Sequence, residues 1–262
     1  MIIPITDPAD PRIAAYHQVR ERDLVGREGL FVAEGEVVLR TLVRDGRHGI
    51  ASVLLADKRA AGLADLIAAL PADTPVYTAG QAVLDGIVGF HIHRGILALG
   101  RRAPELSAED LLRQAGPRAL VVVLFGVGNH DNMGGLFRNA AAFGADAVLL
   151  DPTCCDPLYR KAIRVSVGAA LTTPFARIDG DPLALLERCG FAALALSPSG
   201  ATPLARLKRP DRVAVLLGAE GPGLPAELMA RAATVSIPMA GAFDSLNVAT
   251  TSGIVLHHLV FS

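Results

Sequence analysis

The stretch Ala119-Leu-Val-Val-Val-Leu-Phe-Gly-Val-Gly-Asn-His-Asp-Asn-Met-Gly-Gly-Leu-Phe-Arg-Asn-Ala-Ala-Ala-Phe-Gly144 decides the fold of this chain. It starts with an uninterrupted run of apolar residues, which is typical of a buried β-strand. The turn Gly126-Val-Gly128 then leads into a helical segment that we place at Met133–Phe143, with its start near Asn132. A buried strand that turns directly into a helix is the building unit of an α/β sheet. Such sheets bind ligands at the carboxyl ends of their strands.

Two further blocks place Gly, Asn or reactive polar residues directly after a strand. Leu217-Gly-Ala-Glu-Gly-Pro-Gly-Leu224 follows a predicted strand at Val213–Leu217, and its glycines and proline predict a tight, preformed loop. Ile237-Pro-Met-Ala-Gly-Ala-Phe-Asp-Ser-Leu-Asn-Val248 leads into the last helix. Ser245 or Asp244 is well placed to cap that helix.

From Arg118 onward, apolar strand-like runs alternate with segments of helical spacing. This alternation predicts an α/β domain whose mostly parallel sheet is covered by helices on both faces. The predicted strands are Ala119–Phe125, Ala147–Leu150, Val213–Leu217 and Val235–Ile237, and the predicted helices are Met133–Phe143, Pro225–Ala232 and Leu246–Val260.

Residues 1 to about 100 have the pattern of a separate, smaller α/β unit. The segment Asp10–Arg22 has helical spacing, and Gly29–Glu36 is typical of a short strand that runs into a helix. Further predicted strands are Ile50–Ala56, Val76-Tyr77 and His91–Leu99, and a short helix at Leu63–Leu70 ends before Pro71.

A charged, proline-containing link that begins at Arg101 follows this unit. Ser107 then has the position of a helix N-cap, with Asp110 three residues later in the capping-box position. We therefore place the boundary between residues 100 and 116. This predicts two domains, a small one at 1–105 and a larger one at 116–262.

The composition is that of a globular chain of 262 residues, 51% of them hydrophobic. The longest apolar runs, such as Ala119–Phe125, are far shorter than the roughly 18 residues that a membrane span needs. The start of the chain has neither a basic region nor a long apolar run, so we predict no secretory signal and a cytoplasmic location. The odd set of Cys154, Cys155 and Cys189 contains no CxxC pair. It favours reduced thiols over a disulfide framework or a zinc site.

The net charge of −1 argues mildly against a nucleic-acid-binding protein, because phosphate affinity needs clustered cations. A local basic patch would still suffice. In the segment Asp156–Gly168, Arg160 and Arg164 lie one helical turn apart, and Lys161 is adjacent to the first of them. These three residues are candidates for phosphate contact, with a solvated charged helix face as the alternative interpretation.

Two familiar nucleotide-binding motifs are incomplete in this sequence. The turn Gly126-Val-Gly128 begins like a dinucleotide fingerprint, but Asp131 stands where the third glycine is required. The loop Leu217–Leu224 lacks the Lys-Ser/Thr pair of a phosphate-binding P-loop. A nicotinamide-dependent oxidoreductase is therefore a weak hypothesis.

Taken together and in this order, the three blocks resemble the SpoU (TrmH) family of the SPOUT superfamily. Members of that family are S-adenosylmethionine-dependent RNA ribose 2′-O-methyltransferases. In the first block, the residues that match the family's first motif are Asn132, Gly134, Arg138, Phe143 and Gly144. The resemblance implies an α/β sheet whose C-terminal segment forms a deep trefoil knot, and a homodimer that assembles through the C-terminal domain.

The resemblance also implies a catalytic set. Arg138 corresponds to the residue that activates the ribose 2′-hydroxyl for in-line attack on the cofactor methyl. Because an arginine with a pKa above ~12 is a poor general base, the alternative role of orienting the hydroxyl and stabilising an oxyanion stays open. Asn132 would hold the turn or the target nucleotide. Glu220, Ser245 and Asn247 would complete the centre, with Glu220 either near the sulfonium or paired with Arg138.

The cofactor implied by the resemblance is S-adenosylmethionine, and no metal is implied. The second block would hold the methionine moiety and the ribose through its backbone, and the third block would surround the adenine. The cofactor-binding residues implied are Leu217, Gly218, Glu220 and Gly221 of the second block, and Ile237, Met239, Leu246 and Asn247 of the third.

The N-terminal unit is similar, more loosely, to the small substrate-binding domain that precedes the catalytic domain in several family members. The matching elements are Gly29–Gly35 and His93–Ala98. Within this unit, Arg20, Arg22 and Arg27 are candidates for RNA contact. The resemblance implies ribosomal or transfer RNA as the partner, and the pairing of the two domains favours ribosomal RNA.

Two alternatives stay open on the same fold. One is a SPOUT enzyme that methylates a base nitrogen, and the other is a non-catalytic RNA-binding protein such as an assembly factor. The block from Asn132 to Arg138 favours the ribose enzyme. The intact set of polar residues in all three blocks argues against a non-catalytic protein.

Overall fold

A computed structural model describes residues 2–17, 21–88, 95–241 and 245–262 of the chain. The strands are β1 (Ile2–Ile5), β2 (Leu30–Glu34), β3 (Gly49–Ala56), β4 (Val76–Ala79), β5 (Ile96–Arg101), β6 (Ala119–Phe125), β7 (Ala147–Leu150), β8 (Phe175–Arg177), β9 (Ala192–Leu196), β10 (Thr202–Pro203), β11 (Arg212–Gly218) and β12 (Ala233–Ser236).

The helices alternate with these strands along most of the chain. They are α1 (Glu21–Arg27), α2 (Glu36–Asp45), α3 (Asp57–Ala60), α4 (Ala64–Ala68), α5 (Gln81–Val88), α6 (Ala108–Gln114), α7 (His130–Ala142), α8 (Arg160–Val165), α9 (Ala169–Thr172), α10 (Pro182–Arg188), α11 (Ala226–Arg231) and α12 (Val248–Phe261), with short 3-10 helices at Pro11–Tyr16, Ala61–Leu63 and Leu204–Arg206.

The chain divides into two compact units. The first comprises Met1–Pro104 and Asp156–Thr172, and the second comprises Glu105–Cys155 and Thr173–Ser262. The basic segment that contains α8 therefore clusters with the first unit, whereas the sequence analysis placed it in the larger domain. Among the described residues, none of the helices is both long and apolar enough to cross a bilayer.

The first unit is built on a five-stranded sheet in the order β1-β4-β3-β5-β2. The strands β1, β4 and β3 pair in parallel, and β5 is antiparallel to both of its neighbours. Ile13, Leu54, Leu84 and Leu97 are almost fully buried in its core. The predicted passage from a strand at Gly29–Glu36 into a helix is confirmed by β2 and α2.

Two predictions for this unit are wrong in detail. The continuous helix expected at Asp10–Arg22 is instead a 3-10 helix that ends before His17, whose backbone is extended. The strand expected at His91–Leu99 begins only at Ile96, because Gly95 adopts a left-handed φ of 58° that a strand does not accommodate. Residues 91–94 of that prediction lie outside the described residues.

The second unit contains a seven-stranded sheet in the order β10-β12-β9-β11-β6-β7-β8, and all of its strand pairs are parallel. All seven residues of β6 are buried. One face is covered by residues of α6, α10 and α11, and α7 and α12 pack on each other and contact the sheet. The predicted α/β class with a parallel sheet is therefore confirmed, and the trefoil knot stays a prediction.

Strand order places the loops after β6 and β11 at a point where the chain reverses direction across the sheet. The chain runs from β6 through β7 to β8 at one edge, and then returns to β9 on the far side of β11. Open α/β sheets leave a crevice at the carboxyl ends of the strands at such a switch point. As a result, the second and third sequence blocks, which follow strands of this sheet, lie at its carboxyl edge.

Strands β8, β9 and β10 and helix α10 were not predicted from the sequence. Residues Ala192–Leu196 of β9 are only Ala and Leu, which favour a helix at least as much as a strand. The predicted N-cap at Ser107 is confirmed, because its Oγ accepts from the backbone N–H of Asp110 at 3.2 Å.

His48 is a buried histidine of the first unit, with only 4% of its surface exposed. Its Nδ1 accepts a hydrogen bond from the backbone N–H of Ala103 at 3.0 Å, and its ring stands edge-on to Phe31 with 5.2 Å between centroids. Burial, followed by the nearby charge of Arg47, lowers the pKa of His48 to about 4. The folded chain therefore keeps this imidazole neutral below the pH at which an unfolded chain binds a proton.

We expect the free energy of unfolding to fall as the pH decreases from 6.5 towards 4, because the unfolded state then binds a proton at His48 that the folded state does not. The lowered pKa corresponds to about 3 kcal/mol over that range. Urea unfolding followed by circular dichroism at several pH values measures this slope. His48→Gln should flatten it. Equal slopes in the wild type and in His48→Gln would contradict the assignment.

Candidate functional site

A cavity of about 450 Å³ lies at the carboxyl edge of the sheet in the second unit. Its walls come from the ends of β9, β11 and β12 and from the segment that leads into α12. The residues that line it are Leu196, Ser197, Pro198, Leu217, Gly218, Ala219, Glu220, Gly221, Gly223, Ile237, Met239, Ser245, Leu246, Asn247, Val248 and Thr251.

The loop after β11 has a conformation that requires glycine. A Cβ atom on Gly218 would lie 2.2 Å from the carbonyl carbon of Gly223, and Gly223 itself has a left-handed φ of 67°. The N–H of Gly223 donates to the carbonyl oxygen of Ala219 at 3.0 Å and closes the loop on itself. This tight closure brings backbone polar groups to the wall of the cavity.

The other walls are mainly apolar. Leu196 at the end of β9 and Ile237 and Met239 after β12 face the cavity, and Leu246 lies before α12. An apolar cavity with a rim of backbone polar groups and one carboxylate, that of Glu220, is suited to a flat apolar ring joined to a polar, positively charged chain.

The side chain of Asn247 connects three elements at the mouth of this cavity. Its Oδ1 caps α12 by accepting from the backbone N–H groups of Ala249 at 2.9 Å and Thr250 at 3.2 Å. Its Nδ2 donates to Oδ1 of Asn132 at 2.8 Å and to Oε1 of Glu220 at 2.7 Å. One residue from each of the three sequence blocks is therefore held in a single hydrogen-bonded chain.

The predicted N-cap of the last helix is wrong. Ser245 or Asp244 was expected to cap it, but the helix begins at Val248 and the residue before it, Asn247, is the cap. An amide is suited to this place because its oxygen caps the helix while its N–H groups remain free to donate elsewhere. Ser245 instead lines the cavity, and Asp244 lies outside the described residues.

Asn132 is held by the first turn of α7. Oδ1 of Asn129 accepts from the N–H groups of Asp131 at 2.8 Å and Asn132 at 3.2 Å, so the helix begins at His130, two residues before the expected start. Only 8% of Asn132 is exposed. Its amide is therefore positioned by the helix and hydrogen-bonded to Asn247.

Asn139 joins α7 to α12 and was missed by the sequence analysis. Its Nδ2 donates to the carbonyl oxygen of Ala249 at 2.6 Å and to Oγ of Ser252 at 2.8 Å. A Cβ atom on Gly135 would lie 2.7 Å from the Cβ atom of Ala249, so the two helices approach closely. An Asn in the interior of an Ala-rich helix is unfavourable by propensity, and this was the available signal for a tertiary contact.

Arg138 does not join the hydrogen-bonded chain. Its side chain is exposed, it does not line the cavity, and it makes no hydrogen bond or ion pair with another described residue. It lies six positions after Asn132 along the helix, a rotation of about 240° that turns it to a different side of α7. Of the two roles left open for Glu220, pairing with Arg138 is absent, because Glu220 bonds to Asn247.

The cationic candidates for RNA contact are in the first unit. Arg164 of α8 lies 3.7 Å from the buried carboxylate of Glu34, so part of its charge is already neutralised within the unit. Arg160 and Lys161 also have interactions within the structure. Arg27 is exposed in the last turn of α1. Arg20 and the side chain of Arg22 lie outside the described part of the chain.

None of the three cysteines forms a disulfide. Cys154 is buried, and its Sγ accepts from the N–H of Val127 at 3.3 Å and donates to the carbonyl oxygen of Leu124 at 3.4 Å. Burial, with the nearby Asp151, raises the pKa of Cys154 to about 12, which keeps the thiol neutral and unreactive. Within the described residues, no group of three or more His, Cys, Asp or Glu residues is placed to hold a metal ion.

Comparisons with known proteins agree on one family. The model of the SpoU rRNA Methylase family matches residues 119–257. An uncharacterized tRNA/rRNA methyltransferase of Mycobacterium bovis is 40% identical over 265 residues, which covers 97% of this chain and 90% of that protein.

Solved structures are similar over both units. An AdoMet-bound rRNA methyltransferase from Sinorhizobium meliloti matches with a TM-score of 0.83 and 25% identity, covering 98% of this chain and 97% of that one. A structure described as an RNA 2′-O ribose methyltransferase matches with a TM-score of 0.82 and 25% identity, covering 98% of both chains.

Gly218→Ala should destabilise the loop after β11, because the added Cβ would meet the backbone of Gly223, which cannot move aside as a flexible side chain does. We expect a loss of about 1–3 kcal/mol, the usual cost of overpacking. Thermal unfolding measures it. Gly116→Ala in the same unit is the matched control, since an added Cβ there meets nothing within 4 Å. Similar melting temperatures for the two variants would contradict the geometry.

Proposed function

The chain belongs to the SpoU rRNA methylase family, and on that premise we propose that it transfers a methyl group from S-adenosylmethionine to a ribose 2′-hydroxyl of ribosomal RNA. RNA methylation with S-adenosylmethionine is the activity of this family. The ribose position and the choice of ribosomal over transfer RNA are the specific part of the proposal. The observation that carries it is the hydrogen-bonded chain of Asn132, Asn247 and Glu220, in which Asn247 and Glu220 line the cavity and Asn132 holds Asn247 from behind.

The cavity suits S-adenosylmethionine. Its volume of about 450 Å³ lies in the range of small-molecule sites. We propose that the apolar side chains of Ile237, Met239 and Leu246 hold the adenine ring. The backbone of Leu217, Gly218 and Gly221 would then hold the polar ribose and methionine moieties. The rRNA methyltransferase structure with bound AdoMet, to which this chain is similar, supports this assignment.

When bound, S-adenosylmethionine supplies a methyl group on a positively charged sulfur. The carboxylate of Glu220 provides the compensating charge at the cavity wall, and Asn247 holds that carboxylate in place at 2.7 Å. Ser245 lies at the same mouth and offers a hydroxyl to the incoming ribose. The protein contributes alignment and exclusion of water, which supply most of the rate in reactions of this kind.

We assign Arg138 the role of orienting the ribose hydroxyl and stabilising negative charge on its oxygen, because a guanidinium does not give up its proton near neutral pH. Because Arg138 is exposed and lies outside the cavity of its own chain, it is placed to contribute to the cavity of a second subunit. We propose a homodimer through the second unit, in which Arg138 of the partner subunit completes each site.

An exposed apolar stripe supports this dimer. Thr250, Ile254, His257 and Phe261 recur along α12 at intervals of four, three and four residues and are exposed. Phe261 is 68% exposed and Ile254 40%. Phe143, at the end of α7, packs edge-on against both His257 and Phe261 and widens the stripe. Contiguous exposed apolar surface of this kind marks an interaction site.

We propose that the first unit selects the RNA. Its contacts would be made by Arg20, Arg22 and Arg27 and by the α8 cations, Arg160, Lys161 and Arg164. Ribosomal RNA is favoured because the similarity to the Sinorhizobium meliloti rRNA methyltransferase extends over 98% of this chain and so includes the first unit.

The activity test is transfer of labelled methyl from S-adenosylmethionine to size-resolved cellular RNA. We expect label in ribosomal RNA that protects the adjacent linkage from alkali, because a 2′-O-methyl group removes the attacking hydroxyl. Arg138→Ala and Asn247→Ala should each lose on the order of 10²-fold in rate, the usual cost of removing one stabilising donor. Arg113→Ala, a surface arginine paired with Glu109, is the control and should keep full activity.

Other outcomes of this test contradict the proposal. Label that sits on a base and leaves the linkage open to alkali would identify a base-methylating enzyme. Label in transfer RNA would identify transfer RNA, and not ribosomal RNA, as the substrate. Folded protein that binds RNA but does not bind S-adenosylmethionine in calorimetry would identify a non-catalytic RNA-binding protein.

Ile254→Asp should convert the dimer to a monomer, because it places a charge within the apolar stripe of α12. Sedimentation velocity measures the change. Leu106→Asp is the matched control, since Leu106 is equally exposed at 39% but lies away from α12 in sequence. A monomeric wild-type protein, or a dimer that persists in Ile254→Asp, would contradict this interface.

Mixing inactive subunits tests whether Arg138 acts across the interface. When Arg138→Ala and Glu220→Gln chains are co-expressed, heterodimers would combine the intact Glu220 of one chain with the intact Arg138 of the other. Random pairing in a two-fold dimer then restores about a quarter of wild-type activity. Complete inactivity of the purified heterodimer would show that Arg138 serves the cavity of its own chain.

A further inference from the structure

The second unit has a basic cluster at the amino edge of its sheet, the edge opposite the cavity. Arg118 immediately precedes β6, and Lys208 and Arg209 lie in the short segment before β11. The backbone N–H of Ala119 donates to the carbonyl oxygen of Asp211 at 2.9 Å, so the starts of these two strands lie side by side. We call these three cationic residues the amino-edge cluster.

The amino-edge cluster differs from most other arginines of the second unit in having no internal partner. Within the described parts of the chain, none of its three side chains makes a hydrogen bond or an ion pair. By contrast, Arg113 and Arg188 both pair with Glu109, and Arg231 pairs with Asp181 at 2.8 Å. Arg212 is also engaged, by the backbone carbonyls at the end of α6.

The local acids do not neutralise the cluster. Asp146 and Asp211 are near enough to Arg209 to favour its charge, but neither comes within ion-pair distance of it. Oδ2 of Asp146 is instead an acceptor for the backbone N–H of Leu120 at 2.8 Å. The cluster therefore keeps a net positive charge.

Arg209 is the most constrained member of the cluster. Its Nε is buried and has no hydrogen-bond acceptor among the described residues. Burial and the neighbouring charge of Arg118 lower the pKa of this guanidinium. Two guanidinium groups that repel each other, one of them partly desolvated, are costly unless an anion joins them.

We propose that the amino-edge cluster binds the phosphodiester backbone of the RNA substrate. Arginine presents a planar fork of N–H donors that matches two phosphate oxygens, and Arg118 and Arg209, at the starts of neighbouring strands, offer two such forks. This inference rests on the proposed function for the identity of the anion. The positive charge of the cluster and its lack of internal partners do not depend on that function.

The distance between the amino-edge cluster and the cavity also determines what kind of RNA could contact both. β6 has seven residues, so the two edges of the sheet are separated by roughly 23 Å at about 3.3 Å per residue. An RNA strand in an A-form duplex advances by roughly 3 Å per nucleotide, less than the ~3.4 Å of DNA, so about eight nucleotides separate a phosphate at the cluster from a ribose at the cavity. The substrate is therefore a structured RNA that runs along the unit, and a mononucleotide or a very short oligonucleotide would not engage both sites.

The test compares two double variants of the full chain with equal charge change. Arg118→Gln with Arg209→Gln removes two members of the cluster, and Arg113→Gln with Arg188→Gln removes two paired arginines of the same unit. The probe is a fluorescein-labelled RNA hairpin of about 20 base pairs, long enough to exceed the estimated span. Its affinity is measured by anisotropy at several salt concentrations, and S-adenosylmethionine affinity and thermal unfolding are measured in parallel.

We expect the cluster variant to lower the slope of log affinity against log salt by about 2, because about one counterion is released for each phosphate contact. Its S-adenosylmethionine affinity should be unchanged and its melting temperature should not fall, because the repulsion between the two guanidinium groups is removed, and the control variant should keep the wild-type slope. Arg118→Lys with Arg209→Lys should keep the slope as well, because the charge remains.

Two results would overturn the proposal. One is a cluster variant whose salt slope equals that of the wild type. The other is unchanged hairpin binding together with loss of binding to polyglutamate, which would assign the cluster to an acidic protein partner. Hairpin binding is read without methyl transfer. A changed slope would therefore support the cluster even if the ribose chemistry proved wrong, and an unchanged slope would reject it even if that chemistry were confirmed.

Discussion

The amide of Asn247 is the interaction on which the site depends. Its oxygen ends the last helix by accepting two backbone N–H groups, and its nitrogen donates to Asn132 and Glu220. No other neutral side chain type except Gln combines a two-lone-pair acceptor with two donors. The start of α12, the start of α7 and the loop after β11 are therefore positioned together rather than separately.

The helix pair behind this amide gives it a rigid support. Asn139 ties the first turn of α12 to α7, and Gly135 allows the backbones to approach until Ala249 is in contact. The loop on the other side is equally constrained, because Gly218 and Gly223 pack backbone against backbone. A parallel sheet buried on both faces fixes where these three segments emerge. The acceptor and donor groups thus meet at one edge without depending on a flexible surface loop.

The net charge of this protein does not reveal how its charges are distributed. A net charge of −1 suggests little affinity for phosphate, yet most of the arginines with described contacts are neutralised by carboxylates or carbonyls of the chain itself. Within the described residues of the second unit, Arg138 and the amino-edge cluster have no such partner and can contact an external anion. Affinity for phosphate therefore depends more on whether each cation is already paired with a carboxylate of the chain than on the net charge.

Much of the second unit could be predicted from the sequence alone. Seven apolar residues in a row can only be buried on both faces, and the alternation with helical segments then requires a parallel sheet, as β6, β7 and β11 confirm. The family also followed from the sequence, because the three blocks have specific residues at specific spacings. The strands β8 to β10 did not follow, because short runs of Ala and Leu have no strong preference outside their tertiary context.

The contacts within the site were decided only by the tertiary structure. The resemblance to the family brought Asn132, Glu220, Ser245 and Asn247 into one candidate set, but the sequence suggested Ser245 or Asp244 as the cap and left Glu220 free to pair with Arg138. The structure made Asn247 the cap and the partner of Glu220 and turned Arg138 away. The physical reason is that hydrogen bonds between residues 27 and 115 positions apart depend on where strands and helices end in space, to within a few tenths of an ångström. Local sequence preference does not determine that position.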